Sequence, residues 1–108
     1  MAGVFTENVC YLLTGVPPGY VVTYGGLAAA AGSPRGARQV VRILHTQSRI
    51  RNLPWHRVVA SGGRIALRDP GDAELQRELL RSEGLELDNN GNVIMKGHIW
   101  DFSRAFPD

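Results

Sequence analysis

The sequence predicts a single, mostly α-helical domain with small β-hairpins, organised over residues 1–108 as a winged-helix-like helix-turn-helix. Three observations predict this fold class. The chain has 108 residues, which is enough for one core and too few for two. Apolar residues recur at helical spacing in several segments, and glycine-containing turns separate these segments. Hydrophobic residues make up 44% of the chain and charged residues 20%, as in an ordinary globular protein.

The first segments of the chain have clear start and stop signals. Apolar residues at helical spacing predict a helix over residues 5–14, and the Val-Pro-Pro-Gly turn at 16–19 ends it. Residues 20–23 are predicted to be extended. Thr23 can cap a second helix, which begins near Tyr24 and ends at Gly32.

Ser33 and Pro34 predict the start of a third helix, because a capping residue followed by proline at the first helical position is typical of an N-terminus. This helix continues to about Thr46, so the helix-turn-helix covers residues 24–46. The residues predicted on its inward face are Ala37, Val40, Val41 and Leu44. The residues predicted on its opposite face are Arg35, Arg38 and Arg42, which share one side of a helix. A basic face is expected of a recognition helix for nucleic acid; the alternative is an exposed helix with no partner.

Turn residues predict two small hairpins in the second half of the chain. Extended runs at 58–60 and 64–67 flank a Ser-Gly-Gly turn at 61–63, which predicts the first hairpin. The second is predicted at 85–94, where two apolar runs bracket an Asn-Asn-Gly turn.

A fourth helix is predicted between these two hairpins. Asp69 and the proline after it can start the helix, and Gly84 closes it. Acidic residues in its first turn match the helix dipole. Near the end of the chain, Ile99 and Trp100 are expected to pack back onto the body.

Composition excludes several classes of protein. No apolar run is as long as a membrane span and no signal-peptide pattern is present, so we expect a cytoplasmic protein, nucleoid-associated when bound to DNA. The single cysteine, Cys10, excludes an internal disulfide and is expected to be a small buried hydrophobe. His45, His56 and His98 share no metal-ligand spacing, so no metal is expected. The glycine pairs lack the context of a nucleotide-binding loop, so no cofactor is expected either.

Charge is distributed unevenly along the chain, although the net charge is only +2. Residues 1–68 hold eight arginines and one acid, Glu7, which gives +7. Residues 69–108 hold four basic and nine acidic residues, which gives −5. The long stretch without a carboxylate predicts a surface that faces a polyanion. Arginine suits phosphate and base contacts better than lysine does.

Residues 54–59 read Pro54-Trp55-His56-Arg57-Val58-Val59. This segment resembles the Pro-Cys-His-Arg-Val active-site motif of the O6-alkylguanine-DNA alkyltransferases, with tryptophan where the nucleophilic cysteine belongs. A thiolate attacks an alkyl carbon because it is polarisable and ionises near neutral pH. An indole offers one N–H donor and a flat face instead. The motif therefore predicts a lesion pocket from which the chemistry has been removed.

The order of parts from about residue 5 to 87 is also similar to the DNA-binding domain of that family. The matching segments are 22–28, 32–34, 37–40 and 82–84. With tryptophan in the motif and no separate N-terminal domain, the chain most resembles the alkyltransferase-like proteins. That family binds O6-alkylguanine in double-stranded DNA without removing the alkyl group, and flags it for nucleotide excision repair proteins. The resemblance implies these partners, with no membrane, for a protein that we expect to be a monomer.

The resemblance also implies a role for each matching residue. Arg38 would enter the duplex and occupy the space left by an extruded base, and Tyr24 would press against the 3′ phosphate of the target nucleotide. Trp55 would line the pocket for the flipped guanine, with Arg68 beside it. The basic face of the predicted helix, and not the resemblance, predicts that Arg35 and Arg42 contact the DNA in general.

His56 and Glu83 match the pair that activates the cysteine through water in the transferases. Here the pair has nothing to activate, so the resemblance implies a hydrogen-bonded structural relic with no catalytic residue.

Two alternatives remain open from the sequence. The first is an enzyme that processes O6-alkylguanine by another route, for which His56 and Glu83 would have to activate a water. The second is a helix-turn-helix regulator that reads sequence in the major groove and dimerises. Such a regulator carries base-reading residues near the start of its recognition helix, whereas Arg38 is predicted in mid-helix and the Trp55 motif would have no role.

Overall fold

The computed structural model describes residues 3–105, with side chains for residues 3–103, and confirms a mostly helical fold. The helices are α1 (Val4–Thr14), α2 (Tyr24–Ala30), α3 (Ala37–Arg51) and α4 (Pro70–Ser82). The strands are β1 (Val22–Thr23) and β2 (Val58–Val59), and short 3₁₀ turns cover Trp55–Arg57, Ser61–Gly63 and Phe102–Ala105. We call the first of these turns the Trp55 turn.

A short parallel sheet joins the two halves of the described chain. Val22 of β1 pairs with Val58 of β2, and Thr23 pairs with Val59. Both valines of the first pair are buried. Because β1 leads directly into α2 and β2 follows the Trp55 turn, the sheet fixes the helix-turn-helix relative to the motif.

Two groups of buried side chains form the interior. The first core cluster lies between α1, α2 and α3 and includes Val9, Leu13, Leu27 and Val40. The second core cluster lies under α4 and the C-terminal hairpin, and includes Val21, Val59, Leu80 and Val93. The neighbouring residues Val58 and Val59 belong to different clusters, so β2 lies between the two.

The predicted starts of α2 and α4 are confirmed. The Thr23 hydroxyl accepts a hydrogen bond from the Gly26 N–H at 2.9 Å, and the Asp69 carboxylate accepts one from the Asp72 N–H at 3.0 Å. Each side chain satisfies one of the free N–H groups at a helix start. These contacts depend only on residues a few positions apart, which is why the sequence predicts them.

The predicted bounds of the third helix are wrong. Ser33 and Pro34 lie in a turn in which the Ser33 carbonyl accepts a hydrogen bond from the Gly36 N–H at 2.9 Å. The helix begins only at Ala37 and continues past Thr46 to Arg51. Arg35 therefore lies in the turn before α3, and Arg38 lies in the first turn of the helix.

The predicted inward face of α3 needs one correction. Val41 is 49% exposed, while the buried residues of the helix are Val40, Ile43 and Leu44. The later start of the helix does not change its periodicity. The inward face is therefore centred between Val40 and Leu44.

The first predicted hairpin, at 58–67, is also wrong. Strand β2 pairs with β1, and residues 61–63 form a 3₁₀ turn. The Ala60 N–H donates to the Arg64 carbonyl at 2.9 Å, but the two predicted runs do not form a pair of strands. The Gly63 carbonyl accepts a hydrogen bond from the Val93 N–H at 2.8 Å, so this turn is bound to the C-terminal hairpin. Gly63 has a φ of +88° and lies so close to the Val93 carbonyl oxygen that a Cβ would collide with it.

The second predicted hairpin is confirmed. Leu87 and Val93 form an antiparallel bridge, and the Asp88 N–H donates to the Asn92 carbonyl at 2.8 Å. The tail returns to the body as expected: Ile99 pairs with Val21 through its backbone, although its side chain is 59% exposed. The Trp100 ring packs edge-on against Tyr20, with 5.4 Å between the ring centroids.

Among the described helices, none has the length and apolar character that a membrane crossing requires.

Candidate nucleic-acid interface

The turn before α3 and the outer face of α3 present a row of exposed arginines. Arg35, Arg38 and Arg42 are exposed, and none of them forms an ion pair with another described residue. The N-cap of α3, Gly36, supplies no side-chain hydrogen bond to the first turn. Free N–H groups at a helix start and nearby guanidinium groups both attract phosphate oxygens.

Another arginine of the basic stretch, Arg51, is engaged by a carboxylate at the protein surface. Arg51 binds the carboxylate of Glu7 with two hydrogen bonds, at 2.7 and 2.9 Å, and thereby ties α3 to α1. The Arg51 hydrogen bond holds the pKa of Glu7 below its ordinary value. Glu7 is the only acid among residues 1–68. Since Glu7 is bound to Arg51, the arginines of the outer face have no competing carboxylate nearby in sequence.

Tyr24 is the first residue of α2 and is half-buried against the first core cluster. Burial raises the pKa of its phenol, so the side chain stays neutral at physiological pH. A neutral hydroxyl can approach a phosphate as a hydrogen-bond donor without charge repulsion.

The Trp55 turn carries a half-buried indole that packs against the same cluster as Tyr24. The backbone N–H of Trp55 donates to the Leu53 carbonyl at 2.8 Å. The indole is nearly perpendicular to the His56 ring, at 86° with 6.1 Å between the ring centroids. Two of the predicted site residues, Tyr24 and Trp55, thus pack against one core cluster.

Behind the Trp55 turn, three side chains form a largely buried ionic network. His56 Nε2 lies 2.9 Å from a carboxylate oxygen of Glu83, as expected for this pair. Arg57 donates to both oxygens of the same carboxylate, at 3.0 and 2.6 Å, and also to the Val16 carbonyl at 2.9 Å. Burial opposes ionisation of Glu83, but the hydrogen bonds from Arg57 and His56 outweigh it and lower the pKa of this carboxyl. Glu83 is therefore a carboxylate held by two cationic or donor groups.

Sequence reasoning missed two members of this arrangement. Arg57 lies within the motif, but its sharing of Glu83 depends on a contact 26 positions away. Gln76 of α4 donates to the backbone carbonyls of His56 and Val58, at 3.1 and 2.9 Å. A glutamine in a helix whose neighbours are charged reads as a surface residue, and only its place in the apolar repeat of α4 hints at burial.

The described contacts neither join Arg68 to the Trp55 turn nor separate the two, so its place beside the pocket stays a prediction. Arg68 is exposed in the loop before α4, and its neighbour Leu67 packs against the second core cluster. Trp55 packs against the first core cluster.

The environment of the cysteine does not activate its thiol as a nucleophile. Cys10 is 5% exposed on α1, and burial raises the pKa of its thiol. A thiolate is the reactive form, so this environment disfavours reaction. Within residues 3–105, no group of three or more His, Cys, Asp or Glu side chains could hold a metal ion.

Two open clefts lie on the side of α1. One, of about 560 Å³, is lined by residues that include Cys10, Arg51 and Trp100. The other, of about 730 Å³, lies between α1 and α3 and includes Arg42 in its lining. Neither of these clefts is lined by Trp55 or Tyr24.

Comparison with known proteins shows the family to which the chain belongs. Residues 4–85 match the family described as 6-O-methylguanine DNA methyltransferase, DNA binding domain. The chain is 40% identical over 98 residues to the DNA base-flipping protein of Escherichia coli (strain K12), covering 91% of this chain and 75% of that protein. It is 41% identical over 76 residues to Alkyltransferase-like protein 1 of Schizosaccharomyces pombe, covering 67% of this chain and 68% of that protein.

A solved structure has the same fold. It is that of S. pombe Atl1 in complex with damaged DNA containing O6-carboxymethylguanine. The match has a TM-score of 0.76 at 30% identity, and it covers 90% of this chain and 94% of that chain.

Proposed function

Since the chain belongs to the family of 6-O-methylguanine DNA methyltransferase DNA-binding domains, we propose that it binds O6-alkylguanine in double-stranded DNA by nucleotide flipping, without alkyl transfer. The observation that carries this proposal is Trp55 in the Pro54-Trp55-His56-Arg57 motif. The motif follows a helix-turn-helix with an exposed basic face. The names of the relatives, a DNA base-flipping protein and an alkyltransferase-like protein, support the same function.

Nucleotide flipping follows from the chemistry of the lesion. The O6 substituent of a stacked base cannot be inspected from outside, so the nucleotide must leave the duplex. Alkylation removes the N1–H donor of guanine and converts its carbonyl to an ether, which weakens pairing. Extrusion costs a few kcal/mol and less for a poorly paired base, so selectivity begins before the pocket is reached.

Each predicted site residue has its own role in binding the lesion. Arg38, exposed in the first turn of α3, fills the space left by the extruded nucleotide, and Arg35 and Arg42 hold phosphates. Tyr24 presses on the 3′ phosphate of the target nucleotide. Trp55 lines the pocket, where each buried methylene of the alkyl group contributes about 0.8 kcal/mol. Arg68 adds a cation–π contact to the purine of about 0.5–2 kcal/mol.

Absence of alkyl transfer is proposed from the available nucleophiles. The indole of Trp55 has no ionisable sulfur. The only cysteine in the sequence, Cys10, is buried on α1 with a raised thiol pKa. Neither side chain can accept an alkyl group by the route that the transferases use.

An enzyme acting by another route is the less favoured alternative. It would need Glu83 and His56 to withdraw a proton from a water. The Glu83 carboxylate already accepts hydrogen bonds from Arg57 and His56, which lower its pKa and its basicity. This arrangement supports a structural role for the pair.

The regulator alternative gains one observation. Since α3 begins at Ala37, Arg38 lies in the first helical turn, where sequence-reading helices place their base contacts. Its position in the helix therefore no longer separates the two hypotheses. The Trp55 motif still has no role in a sequence reader, and this favours the lesion sensor.

We also propose that the bound lesion is passed to nucleotide excision repair proteins, and that the protein acts as a cytoplasmic, nucleoid-associated monomer. The family resemblance supports this step. The acidic second part of the chain, with a net charge of −5 over residues 69–108, is the surface least suited to DNA and thus a candidate for protein contacts.

One set of measurements separates the three functions. The protein is titrated onto matched duplexes that contain guanine or O6-methylguanine, after which the protein is weighed by mass spectrometry and the DNA is digested and analysed. A lesion sensor binds the modified duplex more tightly, and protein mass and lesion are unchanged. A released alkyl product, an altered base or a methylated protein would indicate an enzyme. Equal affinity for both duplexes, with preference for some sequence, would indicate a regulator.

A further inference from the structure

Gln76 is buried where an apolar residue would be expected. It lies on the inner face of α4 and is 1% exposed, and it is the one polar side chain buried to this degree among the described residues. Helix α4 contacts the Trp55 turn. Gln76 is therefore a polar group held between the second core cluster and the motif.

The Gln76 amide donates hydrogen bonds but accepts none from the described residues. Its Nε2 donates to the carbonyls of His56 and Val58, at 3.1 and 2.9 Å. Its Oε1 is buried and has no hydrogen-bond partner among the described residues. A buried amide with an unpaired oxygen is unfavourable compared with an apolar side chain of the same shape. What Gln76 supplies at this position is thus the pair of donated hydrogen bonds.

These hydrogen bonds hold the Trp55 turn at its C-terminal side. The two carbonyls belong to the His56–Arg57 and Val58–Val59 peptide units, so the amide holds the backbone just before Arg57 and just after Val58. Glu83, the residue that directly follows α4, holds the side chains of His56 and Arg57. The helix and its C-cap thus anchor both the backbone and the side chains of the motif.

The indole lies next to the residues that are held in this way. Trp55 is half-buried, and its ring packs against the first core cluster, whereas the hydrogen bonds from Gln76 and Glu83 come from α4 and its C-cap. A shift of the turn would move the indole relative to that cluster.

We propose that Gln76 is a positioning residue that sets the orientation of Trp55, and through it the preference for O6-alkylguanine over guanine. Its effect on selectivity rests on the proposed function, whereas its effect on the indole does not. Affinity for unmodified DNA comes from the arginines of α3, so it should not depend on Gln76.

The test uses the full chain with Trp100→Phe, which leaves Trp55 as the only tryptophan. In this background Gln76→Met keeps the length of the side chain and removes both donors. Gln76→Asn keeps the amide but cannot reach both carbonyls. The matched control is Leu80→Val, a loss of volume at another fully buried position of α4.

Two readouts are measured on each variant. The first is the fluorescence emission and acrylamide quenching of Trp55 in the free protein. The second is the ratio of the dissociation constants for a guanine duplex and an O6-methylguanine duplex. Both Gln76 variants should shift the emission and lower this ratio about tenfold, the effect expected for a lost pair of buried hydrogen bonds. The dissociation constant for the guanine duplex should change by less than about twofold.

Each outcome has one meaning. An unchanged Trp55 signal in both Gln76 variants, or the same change in Leu80→Val, overturns the positioning role. A shifted signal with an unchanged ratio overturns its link to selectivity. If the unsubstituted protein itself binds both duplexes equally, the proposed function fails, and the fluorescence still decides whether Gln76 positions Trp55.

Discussion

At the scale of single residues, the arginines divide into two kinds. Arg51 and Arg57 are bound to carboxylates and are parts of the scaffold. Arg35, Arg38 and Arg42 are exposed around the start and outer face of α3 and form no ion pair with described residues. The second kind is available to DNA, so substitutions in the two groups should have different consequences.

Replacing Arg38 with alanine should abolish most of the preference for the lesion. Without a side chain to fill the gap in the duplex, the extruded state loses about 1–3 kcal/mol, or about 5- to 150-fold in affinity. Fluorescence anisotropy with the modified duplex measures the change. A variant that retains the affinity of the unsubstituted protein for O6-methylguanine DNA would remove Arg38 from the site.

Arg42→Ala is the matched comparison on the same helix. A lost phosphate contact should weaken binding to modified and unmodified duplexes by the same factor, and should lower the salt slope by about 0.9. Titrations at several salt concentrations measure both. Loss of lesion preference in this variant would mean that the two arginines do not have separate roles.

Glu83 makes stability depend on pH in the acid range. Its folded pKa is lower than the ordinary value near 4.5, so its ionised form stabilises the fold. That contribution is complete above the unfolded pKa and is lost as pH falls through the folded value. Glu83→Gln should be about 2–3 kcal/mol less stable at neutral pH, and should lose less stability than the unsubstituted protein below about pH 4.5.

Urea unfolding at a series of pH values tests this prediction. Glu78→Gln, on the exposed side of α4, serves as the control and should leave both stability and its pH dependence nearly unchanged. Parallel curves for Glu83→Gln and the unsubstituted protein would show that the ion pair with Arg57 and His56 does not contribute.

At the scale of elements, the 61–63 turn and the C-terminal hairpin behave as one unit. Gly62 and Gly63 both have a positive φ, but only Gly63 faces another backbone. Gly63→Ala should therefore lower the free energy of unfolding by at least about 2–3 kcal/mol, from strain and the collision with Val93. Gly62→Ala meets open space and should lose only about 1 kcal/mol. Thermal unfolding measures the difference, and equal losses would place the constraint elsewhere.

Local signals are what the sequence predicts well. The caps Thr23 and Asp69 and the stop at Gly84 each depend on hydrogen bonds or backbone conformations within a few residues. Ser33 shows the limit of such signals. It has the sequence of a helix cap, yet its carbonyl closes a turn with Gly36, because Gly36 must pack against Phe5 of α1: a Cβ there would lie 2.9 Å from the Phe5 ring.

Long-range pairing is what the sequence does not predict. The run at 58–60 looks like half of a hairpin, but β1 offers a partner strand that is distant in sequence and carries the buried Val22. The pairing of His56 with Glu83 came only from the family resemblance. The contacts of Arg57 and Gln76 have no local signature, because the residue type alone does not show whether a glutamine or an arginine is buried or exposed.

At the scale of the whole molecule, the salt dependence of DNA affinity should be separable from the preference for the modified duplex. Residues 1–68 carry +7, and their one acid, Glu7, is bound to Arg51. For about three to five phosphate contacts, raising salt from 50 to 200 mM should weaken binding about 40- to 500-fold. The loss should be the same for modified and unmodified duplexes, since the flipped base and its pocket release no further counterions. Anisotropy titrations would contradict this if the ratio of the two affinities fell with salt.

The parallel pairing of Val22 with Val58 has a consequence for folding. The two residues are 36 positions apart, so the ends of a long loop must meet before either strand gains a partner, and the entropy of that closure is lost first. Formation of the sheet therefore orders the helix-turn-helix and the Trp55 turn in the same cooperative event. A partly folded chain that has an ordered helix-turn-helix but a disordered Trp55 turn is accordingly disfavoured.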